Sequence, residues 1–162
     1  MKYYLRNWLP VDKESRIIDL ACGEGHILHM LHRMGYVNVE GVDISDSQLR
    51  IARQISDRAV KADVLEYLKI TNSKYDLILS FDLIEHLQKD EVLEFIDLCK
   101  VRLNVNGRLV LQTPNATSPF FGDVRYGDIT HELGFTPNIL SQLLRRSGFT
   151  FIESRETGPV PY

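Results

Sequence analysis

The chain predicts an α/β fold, a three-layer sandwich in which a mostly parallel sheet carries helices on both faces. Three observations carry that expectation: short apolar runs alternate with stretches of helical period, the central run LILS has almost no polar alternation, and a glycine turn joins the first run to the first helix. A strand buried on both faces reads as LILS does, because each face packs on a helix.

The elements follow in order. Apolar runs at 17–20, 37–42, 59–62, 75–81 and 109–112 read as strands, each closed by a polar or glycine-containing turn. Between them, Ile27, Leu28, Leu31 and Met34 share a helical stripe, as do Leu49, Ala52 and Ile55, and then Val92, Leu93, Phe95, Ile96 and Leu103. Ser45 or Asp46 caps the helix expected at 47–56, and Gly35 ends the one before it. Thr136 before Pro137 starts a helix running to Arg146 and closed by Gly148. FTFIES, 149–154, reads as one further strand. The segment 114–136 lacks periodicity, and a loop of that length within a compact domain is usually functional.

Composition narrows the partners. The 162 residues are 44% hydrophobic and 25% charged, enough for one domain over 1–162 with a single sizeable core. A net charge of -3 disfavours broad capture of nucleic acid and suits a small-molecule partner. Two cysteines, Cys22 and Cys99, make neither a disulfide framework nor a zinc knuckle and suit a reducing, cytoplasmic setting. MKYYLRNWLP lacks the apolar stretch of a signal peptide, and nothing approaches the roughly 20 apolar residues of a membrane span. Tyr3, Tyr4, Leu5 and Trp8 form a helical stripe that reads as packing on the domain.

The turn 19–26, DLACGEGH, states its ligand by what it omits. Gly23 and Gly25 let a ligand approach the main chain beside the free N–H groups of a helix start. A dinucleotide turn would carry a third glycine near Leu28, a phosphate loop would end in Gly-Lys, and Glu24 would repel phosphate. Asp19 and Glu24 instead suit a cation such as an ammonium or sulfonium. Asp43, ending the second strand, is placed for ribose hydroxyls, and Asp63, ending the third, for an exocyclic amine. Ile44 and Val64 offer apolar faces to a flat base. A nucleoside joined to a charged amino acid is S-adenosylmethionine.

In DLACGEG, GVDIS, KADV, YDLILSFDLIEHL and NGRLVLQTPN, in that order, the chain resembles the class I S-adenosylmethionine-dependent methyltransferases. The resemblance implies a Rossmann-like sheet of six to seven strands, ordered 3-2-1-4-5-7-6, although only one strand candidate follows the last helix. Either the chain stops short of the final strand or the sheet is completed differently. It also implies that Asp19, Ala21, Cys22, Gly23 and Gly25 hold the methionine part, Asp43 and Ile44 the ribose and adenine, Asp63 and Val64 the adenine edge and face, and that Ser80 and Phe81 border the sulfonium. S-adenosylhomocysteine is the implied product.

On the acceptor side, His131 in THELGF is the candidate base for a hydroxyl, with Glu85 and His86 beside the expected methyl site. Joined with Asp82, these residues read alternatively as a metal site, a pattern resembling metal-dependent RNA 3′-end 2′-O-methyltransferases and, in part, ubiquinone-pathway O-methyltransferases. Asp82 stands where that pattern has Glu, and no second His follows His86, so the reading assigns no metal. SFDL lacks the [DNS]PP[FY] motif of base N-methylation. TPN, HELGFTP and ILSQLLRRSGF look most like methyltransferases of bacterial polysaccharide and lipid-quinone pathways, which makes O-methylation of a small molecule or sugar the first expectation. A cofactor-binding module without catalysis is the alternative from another class. His26, His29 and His32 fan around a helix, and Cys22 has no histidine base beside it, so neither set reads as a site.

Overall fold

A computed structural model describes residues 5 and 7–157. Tyr3 and Tyr4 of the expected N-terminal stripe, and most of the TGPVPY ending, lie outside the described residues. Leu5 is buried and Trp8 packs against the same core, as the stripe predicts.

Five strands form one sheet in the order β3-β2-β1-β4-β5, every neighbouring pair parallel: β1 (Ile17–Leu20), β2 (Val39–Asp43), β3 (Ala59–Lys61), β4 (Tyr75–Phe81) and β5 (Leu103–Gln112). Helices α1 (His26–Arg33), α2 (Asp46–Ala52), α3 (Val64–Ile70), α4 (Lys89–Arg102), α5 (Phe121–Gly127) and α6 (Pro137–Arg146) complete the set, with a 3₁₀ turn at Ile84–His86. Alternate side chains of the central strands sort into two cores. Ile18, Leu20 and Ile78 pack with Leu65, Leu68, Phe95 and Ile96 of α3 and α4, while Ile17, Leu77 and Leu79 pack with Leu28, Leu31 and Leu49 of α1 and α2. Period-two alternation in a sheet clothed on both sides requires that division.

Local signals account for most boundaries. Ser45 accepts the Gln48 N–H as the cap of α2, and Thr136 accepts the Ile139 N–H with Pro137 in the first turn of α6. Gly35 and Gly148 sit at φ +89° and +83°, where the chain leaves a helix.

Four expectations need correction. Residues 149–154 form no strand: Phe149 packs on the core, but Phe151, which would share its face, is 86% exposed, so no face is buried. The segment is held by side chains, with Trp8 Nε1–H donating to Glu153 Oε2 (3.2 Å) and the Arg155 guanidinium stacked 3.6 Å over the Trp8 ring. The sheet therefore has five strands among the described residues, not six or seven. The stretch 64–70 is a helix that the sequence reading passed over because its stripe, Val64, Leu65 and Leu68, spans only two turns. The segment 114–136 contains α5, which buries no residue and so leaves no periodic stripe to read.

Candidate functional site

The strand order reverses between β1 and β4, and the crevice outside their carboxyl ends is where open parallel sheets bind ligands. Most residues singled out from sequence converge there.

Leu20 leads into Ala21, at φ +65°, and the N–H groups of Ala21 and Cys22 both donate to the Val42 carbonyl (2.9 and 3.0 Å). Gly25, at φ +84°, precedes α1, and a Cβ there would sit 3.2 Å from the Ala52 backbone. Both the angle and the close approach of α2 demand glycine. Gly41 makes room from the β2 side: a Cβ would lie 2.9 Å from Cys22 Sγ and Leu28 Cδ1. The sequence reading missed Gly41, since a glycine inside a strand signals only a close approach of unknown partner.

Asp43 braces the turn. Its Oδ2 accepts the Gly23 N–H and its Oδ1 the Ser45 N–H, both at 2.8 Å. Asp19, 1% exposed, leaves Oδ1 without a partner, and burial, reinforced by the charge of Asp43, pushes its carboxyl up to about 8. The buried Ser80 hydroxyl, one strand over, is also unpaired. Ile44 is 67% exposed at the mouth, an apolar side chain that covers nothing of its own domain. Phe81 is partly buried beside the α1 and α2 core. Cys22 is buried, and burial pushes its thiol up to about 12, which removes it as a nucleophile.

Asp63 is exposed and caps α3, accepting the Leu65 and Glu66 N–H groups through Oδ1 (2.9 and 3.1 Å). That cap engages only one carboxylate oxygen. Val64, the first residue of α3, is 8% exposed and turned into the core.

On the far side of the crevice, Asp82 follows β4 at φ +49°, a left-handed angle that Asp tolerates better than most residues. Its carboxylate faces Gln112 Nε2 at 3.4 Å. Glu85 is 2% exposed with both carboxylate oxygens unpaired, and burial, reinforced by the charge of Asp82, holds its carboxyl above the usual range. The Glu85 carbonyl accepts the N–H groups of Glu132 (2.7 Å) and Leu133 (3.0 Å), which fastens the long loop over the site. At its base the loop closes through the Ala116 N–H, donated to the Phe135 carbonyl (2.9 Å).

This closure brings His131 against His86, ring centroids 4.7 Å apart. Candidate ligand atoms of Glu85, His86 and His131 all lie within 4.8 Å of one another, a carboxylate and two imidazoles able to hold a divalent cation or to share a proton. Asp82 stands outside this cluster. Arg125 Nη2–H donates to the Glu132 carbonyl (3.0 Å), so this arginine ties the loop to itself. Half-buried Thr113, just past β5, has a buried and unpaired hydroxyl, a feature that sequence reading passed over inside QTPN.

A family model described as a methyltransferase domain matches residues 1–154. The mitochondrial ubiquinone biosynthesis O-methyltransferase of Arabidopsis thaliana is 31% identical over 150 residues, covering 82% of this chain and 46% of that protein. The ubiquinone biosynthesis O-methyltransferase of Chelativorans sp. (strain BNC1) is 29% identical over 112 residues, 66% of this chain and 43% of that protein. The chain thus spans less than half the length of these two curated relatives. Among solved structures, a SAM dependent methyltransferase from Archaeoglobus fulgidus superposes with a TM-score of 0.81 at 29% identity, over 96% of this chain and 73% of that one. The magnesium protoporphyrin IX methyltransferase of Synechocystis PCC 6803, solved with bound SAH, shares the fold at 19% identity, with a TM-score of 0.76 over 97% of this chain and 74% of that one.

Proposed function

Because this chain belongs to the class I S-adenosylmethionine-dependent methyltransferases, we propose that it uses S-adenosylmethionine to methylate an oxygen of a small hydroxylated acceptor bound under the 114–136 loop. The observation that carries the reading is the row of buried, unpaired polar groups at the carboxyl edge of the sheet: Asp19 Oδ1, Ser80 Oγ and both oxygens of Glu85. Buried polar atoms ordinarily find partners, and a polar, cationic ligand satisfies these.

Asp19 with the Ala21–Gly25 turn takes the methionine end, since its carboxylate faces a site that lacks a cation. Asp43 keeps lone pairs for ribose hydroxyls while bracing Gly23 and Ser45. Ile44 covers one face of the adenine and the free oxygen of Asp63 meets its edge, while Val64, expected at a face of the base, is turned into the core behind them. Ser80 and Phe81 line the centre. When bound, the cofactor supplies a methyl group on a sulfonium, and transfer then depends on an acceptor oxygen held in line with the sulfur to methyl bond. His131 takes the acceptor's proton, and Glu85 and His86 orient it.

The relatives' names favour a phenolic quinone precursor over a sugar, though a sugar hydroxyl presents the same acceptor chemistry. The reading of an RNA end-methyltransferase and that of a non-catalytic module draw no support from these relatives. The cluster of Glu85, His86 and His131 favours a second reading of the same site, in which a divalent cation held there would lower the pKa of the acceptor hydroxyl.

The test is transfer of a labelled methyl group to a panel of catechols and sugars, with and without a chelator. His131→Ala should cut turnover by about 10²-fold or more while cofactor affinity stays within twofold, as loss of a general base does. Equal losses of cofactor affinity and turnover would move His131 off the acceptor side. Loss of turnover on chelation would select the cation reading.

A further inference from the structure

Both histidines of the acceptor side lean on the same short stretch of loop. His131 Nδ1 lies 3.0 Å from the Val124 carbonyl, and a carbonyl only accepts, so Nδ1 carries the proton and Nε2 the lone pair. His86 Nδ1 has two neighbours from Thr130, the hydroxyl at 2.9 Å and the carbonyl at 3.2 Å. The carbonyl favours a proton on Nδ1, but the nearer hydroxyl can donate or accept, and as a donor it would favour the lone pair there. Asp128 removes that competition. Its Oδ1 takes the Thr130 hydroxyl proton (2.6 Å) and the Thr130 N–H (2.9 Å), which leaves Thr130 Oγ1 able only to accept from His86.

We propose that Asp128 and Thr130 are positioning residues that fix His86 as the Nδ1–H tautomer, so that His86 and His131 both present an Nε2 lone pair beside the Glu85 carboxyl. Asp128 and Thr130 act through His86: the Asp128–Thr130 bonds lie within the loop, and the Thr130–His86 contact joins it to the 3₁₀ turn, where the Glu85 carbonyl also fastens the loop. The use of the lone pairs rests on the acceptor-side reading above, whereas the tautomer itself does not, and the experiment separates the two.

Long-range ¹H–¹⁵N correlation spectra of the imidazoles, recorded on the full chain with a chelator present, report which nitrogen bears the proton. The wild type should show His86 as Nδ1–H. Asp128→Ala frees the Thr130 hydroxyl to donate and should populate the Nε2–H form. The double variant Asp128→Ala/Thr130→Val should return His86 to Nδ1–H, because the Thr130 carbonyl is then the remaining partner. Asp128→Glu should keep the wild-type tautomer if its carboxylate reaches the hydroxyl. An Nε2–H signal in the wild type, or an unchanged tautomer in folded Asp128→Ala, would overturn the proposal. Circular dichroism and cofactor affinity, expected to be unchanged in all variants, exclude misfolding, since Asp128 and Thr130 are exposed. Turnover should fall at least about fivefold in Asp128→Ala and recover in the double variant. A tautomer that changes as expected while turnover does not would leave the positioning intact and refute the catalytic reading of His86.

Discussion

Two aspartates at the ends of adjacent strands have opposite tasks, and their surroundings say which is which. Asp43 accepts one backbone N–H on each carboxylate oxygen and keeps a further lone pair on each, whereas Asp19 is buried with one oxygen unpaired and its carboxyl pushed up to about 8. An acid whose folded value is raised stabilises the fold when protonated, and that contribution is lost as pH rises from about 4 through about 8. A ligand ammonium beside Asp19 reverses the preference. Binding of S-adenosylmethionine at pH 7 should therefore release close to one proton, read as a dependence of the calorimetric heat on the buffer's ionisation enthalpy. Affinity should rise with pH up to about 8. Asp19→Asn should abolish both effects, and a wild type without buffer dependence would place the ligand's cation elsewhere. DLACGEG was legible because glycines and acids at a strand-to-helix turn are rare for structural reasons alone. Asp128 and Thr130 were not, because hydrogen bonds within an irregular loop leave no period in the sequence.

At the level of elements, α3 carries an ambiguity that its cap explains. Asp63 was read as an adenine contact, and it is also the N-cap of the helix that the reading passed over. The two roles separate by substitution. Asp63→Ser preserves a cap and removes the carboxylate, so it should leave the melting temperature nearly unchanged and weaken cofactor affinity about three- to tenfold. Asp63→Ala should also lose about 1 kcal/mol of stability, roughly 2–4 °C for a chain of this size. If Asp63→Ser binds as the wild type does, Asp63 is a cap and nothing more. Ser45 and Thr136 were read correctly because a cap is a local signal, confined to one turn. Residues 149–154 were misread for the complementary reason: β-branched and aromatic residues suit a strand, but pairing is decided by a partner edge that local sequence does not contain.

The sheet is clothed on both faces at its middle, and β5 pairs only with β4 among the described residues. β1 and β4 contribute Ile17, Ile18, Leu20, Leu77, Ile78 and Leu79, all fully buried, while β5 exposes Val105 at 93% around a break in its register with β4. Hydrogen exchange should accordingly be slowest in β1 and β4, and faster in β3 and in the 103–107 half of β5. Uniform protection across all five strands would mean that the β5 edge is covered in solution. The order of the five strands and of the helices at 26–33, 46–52, 89–102 and 137–146 was legible because each run's period is set by the layer it faces, whereas the helices at 64–70 and 121–127 were not. The number of strands was not: the sixth was read from FTFIES and the seventh came from the resemblance, and neither is present among the described residues. Among the described residues, no helix is long and apolar enough to cross a membrane.

The proposed cofactor site lies at the carboxyl edge of the sheet, where Asp43 braces the Gly23 turn. Calorimetric titration of S-adenosylhomocysteine into the wild type and Asp43→Ala tests it most directly. Micromolar binding that weakens at least about tenfold in the variant, the loss of roughly 1.4 kcal/mol or more from hydrogen bonds to a charged group, is the predicted result. No binding to the folded wild type, or equal affinity in the two, would contradict the assignment of the cofactor to this edge of the sheet.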